Sequence, residues 1–190
     1  MVLPIYIYGQ PVLREVAKEI DKDYEGLQEL IQNMKDTMYA SDGIGIAAPQ
    51  VGVSARIIYI DVDVLKDDFP ELAGKQMVLL NPRLTVDEQS DTVTSDEGCL
   101  SLPGISESVT RHSKVHLHWW DENWNEHDED IEGYLARVVQ HEYDHLEGHV
   151  FIDHISPIRK QLIRGKLTNM IKGKIRVRYR AKFFKPGNRR

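Results

Sequence analysis

His141-Glu142-Tyr143-Asp144-His145 lies within a stretch, Tyr134 to Leu146, whose apolar residues Leu135, Val138, Val139 and Leu146 repeat at the spacing of one helix face. A chain with this stretch must build a helix and put that face into a core. Residues i and i+4 of a helix share a face, so His141 and His145 can reach one metal ion. Glu142, beside the first histidine, can act on a water at that ion without binding it. It is a candidate general base for metal-assisted hydrolysis. An ordinary helix with two satisfied histidines and a solvated acid has the same five letters, so the pattern needs a third ligand to carry weight.

A catalytic metal site commonly has three protein ligands and one open position. One spacing that accompanies this motif puts a third histidine at position 151, which here is Phe151. Another uses a glutamate well downstream, but Glu147 is the last glutamate of the chain. His149 and His154 remain on that side, and Gly148 is expected to cap the helix before His149. Upstream, the single cysteine, Cys99, sits in Glu97-Gly98-Cys99-Leu100-Ser101-Leu102-Pro103-Gly104. Thiolate is a strong ligand for borderline and soft divalent metals, and the flanking glycines let backbone approach a metal and a substrate closely. The competing role for a lone cysteine is a buried, inert one.

One cysteine excludes an intrachain disulfide and points to a reducing compartment. The N-terminus lacks the basic and apolar regions of a signal peptide, and no apolar run approaches a membrane span, so a cytoplasmic location is expected. A length of 190 residues suits one sizeable core. Charge is uneven: the net value is -6, yet residues 157–190 hold 13 of the 24 Lys and Arg and no acid, leaving -19 on the remainder. A basic end on an acidic body suits an anionic partner, or a tail that folds against its own body.

The spacing of Leu27, Leu30, Ile31, Met34 and Met38 predicts a helix over Asp23 to Ala40. Gly43 to Gly52, glycine-rich with Pro49, is expected to begin extended and then turn. Arg56 to Asp61, Met77 to Asn81 and Val115 to Trp119 read as strands. Asp61 to Lys75 reads as a polar loop or insertion, and Asp121 to Glu132 as a solvated, acidic hairpin tip. Ser156 and Pro157 suit the N-cap and first position of a third helix running to about Ile171. Ile175 to Tyr179 is expected to form a last strand. Many strands with three separated helices argue for an α+β fold.

Three segments carry a resemblance. Gly43-Ile44-Gly45-Ile46-Ala47-Ala48-Pro49-Gln50-Val51-Gly52, Glu97-Gly98-Cys99-Leu100-Ser101, and Gln140-His141-Glu142-Tyr143-Asp144-His145-Leu146-Glu147-Gly148 resemble the three motifs of bacterial-type peptide deformylase, in the family's order. The likeness spans roughly residues 1 to 170. It implies mixed or antiparallel sheets packed around a central HExxH-bearing helix, with N-terminal helices and a C-terminal helix. It also implies one catalytic domain, 1–172, and a basic tail, 173–190. Cys99, His141 and His145 would bind one divalent ion, Fe2+ physiologically, with Zn2+, Ni2+ or Co2+ as substitutes. Glu142 would be the base that passes a proton from water to the leaving amine. The Gln50 side-chain amide and the Leu100 backbone N–H would stabilise the oxyanion.

The implied reaction removes the N-formyl group from the N-terminal formylmethionine of new polypeptides and releases formate. Gly43 to Ile46 would pair with the peptide backbone. Ile44, Gly45 and Val138, with Leu100, would bind the methionine end. Glu97 and Arg111 would form an ion pair that positions the Cys99 loop, and Asp144 would support structure. The basic C-terminal region would touch the ribosome; no membrane is implied. Two other readings predict different things. A metalloprotease using His149 or His154 would tolerate loss of Cys99. A nucleic-acid-binding module with a structural metal would have a closed four-ligand site, for which the chain offers no second cysteine.

Overall fold

The structure is a computed structural model that describes residues 1–184; residues 185–190, the end of the basic tail, lie outside the described residues. A five-stranded antiparallel sheet is its frame, in the order β2-β3-β4-β7-β8. These strands are β2 (Gly45–Ala47), β3 (Ile57–Asp61), β4 (Gln76–Val86), β7 (Lys114–Trp120) and β8 (Glu126–Glu132). Every residue of β3 is buried, which is why Ile57 to Ile60 form an apolar run rather than an alternating one, before Asp61 ends the strand. Ile57 and Tyr59 pack with Ile31, Met34 and Met38 of α1 (Leu27–Tyr39). Ile58 and Ile60 pack with Val138, Val139 and Leu146 of α2 (Gly133–Leu146). The sheet is therefore covered by one helix on each face, and each large apolar side chain so buried contributes on the order of 2 kcal/mol.

The predicted core stripes of both helices are the observed ones. Ahead of β2 the N-terminal helical structure is α1 and a single 3-10 turn, Pro11–Arg14. Helix α3 (Pro157–Ile171) starts as expected, with the Ser156 hydroxyl accepting from the Arg159 N–H at 3.3 Å. It packs with Ile5, Ile7, Leu102, Ile105 and Phe151 in a third cluster. Among the described residues, no helix is long and apolar enough to cross a membrane.

Three expectations need correction. Glu126–Glu132 is not part of a hairpin tip but edge strand β8, paired along its length with β7. Its outward acids are held by cross-strand partners: Lys114 by Asp130 at 2.8 Å, and His116 by Asp128 and Asp130 at 2.6 and 2.8 Å. Charge on an exposed edge also discourages pairing with other chains. The Asp61 to Lys75 segment is not wholly polar, because Leu72 is buried and Phe69 stacks on Tyr134 at 4.7 Å. Ile175 to Tyr179 joins no ladder and bends at Arg178 and Tyr179; the pairing falls later, where β9 (Ala181–Lys182) runs parallel to β1 (Ile5–Tyr6). Sequence reading also missed a hairpin of β5 (Thr92–Gly98) and β6 (Ser106–His112), which form their own two-stranded sheet.

Candidate metal centre

Helix α2 presents His141 and His145 on one face, their ring centroids 5.5 Å apart. Cys99 follows β5, in a turn closed by the Leu102 N–H bonding the Cys99 carbonyl at 2.9 Å. The same loop is tied to the N-terminal segment by the Tyr8 N–H, which donates to the Ser101 carbonyl at 2.8 Å. These elements bring donor atoms of Cys99, His141 and His145 within 4.8 Å of one another. Cys99 Sγ lies 3.3 Å from His145 Nε2. Tetrahedral ligation with metal–sulfur near 2.3 Å and metal–nitrogen near 2.1 Å requires a separation of about 3.6 Å. One thiolate and two imidazoles therefore fit a divalent transition-metal ion in both spacing and chemistry.

The downstream histidines do not reach this centre. The His149 N–H bonds the Asp144 carbonyl at 2.8 Å and the Gly148 N–H bonds that of His145 at 3.4 Å. With Gly148 at φ 73°, this is the Schellman arrangement that ends a helix and turns the chain away. His154 instead hydrogen-bonds Asp144 at 2.8 Å, and His149 is mostly exposed near Asp153.

A buried charge cluster orients the ligands. Glu97 accepts from His141 Nδ1 at 2.8 Å, which leaves Nε2 of that ring facing the site. The expected Arg111 pair is present, with Nε and Nη2 at 2.7 and 3.0 Å from the carboxylate. Arg137, which the sequence reading passed over, adds a contact at 2.6 Å and also donates to the Val109 carbonyl. Asp144 points away from the ligands and pairs with Arg111 at 3.0 Å. Burial alone would raise the Glu97 carboxyl, but the hydrogen bonds from His141 and Arg111 outweigh it and hold the group at about 2. Burial likewise opposes ionisation of Cys99, yet the charges of His145 and His141 bring the thiol down to about 5. Burial dominates at Glu142 and pushes it up to about 7 against the pull of both histidines.

Gln50 is oriented by its backbone surroundings. Its Oε1 accepts the Ala47 N–H at 2.8 Å. An N–H can pair only with the oxygen, so Nε2 must face the other way. It lies 3.4 Å from both Cys99 Sγ and Ser101 Oγ. Glu142 Oε2 is buried without a partner among the described residues, poised for a polar group in the cavity.

That cavity has a volume of about 510 Å³ and is lined by all three substrate-binding candidates, Ile44, Gly45 and Val138, together with Gln50, Leu100 and Glu142. Strand β2 is the sheet edge among the described residues, and its first residue, Gly45, lines the opening with Gly43 and Ile44 ahead of it. Tyr134, Ile105 and Tyr179 also line it and had no sequence signal beyond their apolar surroundings. The Tyr179 hydroxyl donates to the Leu100 carbonyl at 2.5 Å, tying the C-terminal segment to the Cys99 loop.

Gly45 has to be glycine. A Cβ there would lie 2.5 Å from Glu142 Oε1, closer than van der Waals contact permits. Gly45→Ala is expected to push the carboxylate aside and lower kcat by about a hundredfold, with metal content unchanged. Steady-state kinetics beside metal analysis checks this; an unaltered kcat would show that Glu142 does not need its place against β2.

Comparison with known proteins shows the family of the chain. The family model for polypeptide deformylase matches residues 2–161. A peptide deformylase of Christiangramia forsetii is 46% identical over 190 residues, covering 96% of each chain. The solved peptide deformylase of Legionella pneumophila superposes with a TM-score of 0.78 at 35% identity, covering 92% of this chain and 98% of the other. That of Thermus thermophilus gives 0.77 at 36% identity, with 89% and 97% covered.

Proposed function

The chain belongs to the peptide deformylase family, and on that premise we propose how its own residues take the formyl group from the N-terminal methionine of a new polypeptide. The observation that carries the reading is the convergence of Cys99, His141 and His145 beside a Glu142 oxygen without a partner among the described residues, in a cavity that the sheet-edge residue Gly45 also lines.

Cys99, His141 and His145 would hold one divalent ion, proposed to be Fe2+, with Zn2+, Ni2+ or Co2+ as substitutes. When bound, the ion supplies Lewis acidity and makes a water nucleophilic near neutral pH. The edge of β2 and the walls at Ile44, Gly45 and Val138 hold formylmethionine so that its carbonyl carbon faces Glu142. Glu142 takes a proton from the attacking water. Negative charge then grows on the formyl oxygen, where the Gln50 Nε2–H and the Leu100 N–H are the donors. Glu142 returns its proton to the departing amine nitrogen, and the carbon–nitrogen bond breaks to give formate and a free N-terminus. Backbone pairing accepts many residues after methionine, as a general processing enzyme requires.

The catalytic unit is residues 1–172, with 173–190 as a basic tail that reaches back to the cavity through Tyr179. The basic C-terminal region is the proposed ribosome contact, and the cytoplasm is the proposed location. Deleting the residues after Ile171 should weaken co-sedimentation with ribosomes at low salt.

Formate release from formyl-Met-Ala-Ser by anaerobically prepared iron protein tests the reaction. Release that needs the metal is expected. Because the base must be the carboxylate, kcat/KM should fall as pH drops through its pKa. A bound cation favours the charged form, so the acid limb should lie at or below the value of about 7 set by burial. No release at full metal occupancy would defeat the reading.

A further inference from the structure

The catalytic cavity opens into a second groove of about 530 Å³, and Asp42, Pro103, Gly104 and Tyr179 line both. The far wall of that groove is α3 and the segment 175–179, which contribute Lys166, Arg176 and Arg178. All three are exposed, whereas Ile175, Val177 and Tyr179 between them are half-buried, so the apolar residues anchor the segment and leave the arginines to solvent. Lys166 Nζ lies 3.5 Å from the Gly104 carbonyl, which puts a cation at the junction of the two spaces. Among the groove's lining residues, Asp42 is the only acid. This basic concavity belongs to a body whose first 156 residues carry the opposite charge.

The path of a substrate links the two spaces. Glu142 Oε1 stands against Gly45 and fixes where the reacting end sits. A peptide laid along the β2 edge away from that point passes Ile44 and Gly43 and arrives at Asp42, the shared rim. At about 3.3 Å per extended residue, three residues cover about 10 Å. A chain on that path leaves the catalytic cavity across the shared rim of Asp42, Pro103 and Gly104 and emerges over Lys166, Arg176 and Arg178.

We propose that this groove is a second binding site for the same substrate, taking roughly residues four to six of the new polypeptide and favouring acidic side chains there. The proposal rests on the deformylase reading and adds to it a sequence preference beyond the reacting end. Continuity with the catalytic cavity argues for the peptide as occupant, since a chain leaving one space has to cross the other. The contacts are exposed ion pairs, so their effect is modest, salt-sensitive and expressed in KM.

The test uses metal-loaded full-length enzyme and amidated peptides of the form formyl-Met-Ala-Ser-X-X-X, with X as Glu, Ala or Lys. At low ionic strength the Glu peptide should have a kcat/KM about three- to tenfold above the Lys peptide, through KM, and high salt should erase the difference. In Lys166→Glu/Arg176→Glu/Arg178→Glu the order should invert. The ratio of the two peptides is read within each protein, so any general loss of activity cancels. If the triple variant does not fold, the salt dependence of the ratio in the unaltered enzyme still decides. Equal rates for Glu and Lys peptides would overturn the groove while formate from formyl-Met-Ala-Ser amide left the deformylase reading standing. An unchanged ratio in the variant, with loss of ribosome or RNA binding instead, would assign these cations to nucleic acid and also overturn the proposal. Absence of formate from the short peptide would defeat the underlying reading.

Discussion

Glu142→Gln is expected to lower kcat for formate release by about a thousandfold while leaving one metal ion per chain. The amide keeps the shape but cannot accept the water proton, and positioned general acid–base groups typically contribute a hundred- to ten-thousandfold. Ligation should survive, because the Cys99, His141 and His145 donors converge without Glu142. Stability should move the other way. A carboxyl raised by burial to about 7 costs the folded state increasingly as pH rises from its unfolded value of about 4.5. With the metal removed, replacing it with a neutral amide should leave Tm unchanged or higher at pH 7.5. Stopped-assay kinetics, metal analysis and thermal unfolding of one preparation separate these effects. A variant that kept a tenth of the activity would remove Glu142 from the proton-transfer role.

Glu97→Ala is expected to be the most damaging change outside the ligands. It removes the one buried carboxylate that Arg111, Arg137 and His141 share, leaving Arg111 with Asp144 and Arg137 with the Val109 carbonyl. Breaking a buried ion pair from one side typically costs about 3–5 kcal/mol, or roughly 10 °C in Tm for a chain of this size. Metal affinity should fall about ten- to a hundredfold, since His141 loses the group that fixes its ring. The pH sign follows from the depressed pKa. Glu97 stabilises the fold fully above its unfolded value near 4.5, and the contribution is lost as pH falls toward about 2. Thermal unfolding across pH, with chelator competition for the metal, measures both. A Tm shift of only a degree or two would mean that the cluster is far more solvated than its burial implies.

The chemistry was more legible than the architecture. Histidines four apart in a helical stripe put two candidate ligands on one face, which is a local property of the helix; that Cys99, distant in sequence, joins them was implied by the resemblance to the family and not by spacing. The Glu97–Arg111 pair could be named beforehand. Arg137 could not, since an arginine between Leu135 and Val138 reads as a surface interruption until Glu97, distant in sequence, makes it a core residue. Strand β8 escaped because Ile131 is its one buried residue and its pairing depends on cross-strand acids rather than apolar alternation. The β5–β6 hairpin escaped for a related reason: its inward face carries Glu97, Glu107 and Arg111, so polarity concealed burial. Tyr179 was legible as part of an extended apolar alternation. Its contact with the Cys99 loop depends on the β1–β9 pairing that brings the chain ends together.

The most direct test is X-ray absorption at the metal edge, with formate release per bound metal measured on the same samples and Cys99→Ala alongside. The account predicts one sulfur and two imidazole nitrogens from the protein, with formate release proportional to metal occupancy and sulfur and activity both lost in Cys99→Ala. A shell without sulfur, or full formate release from Cys99→Ala, would contradict it.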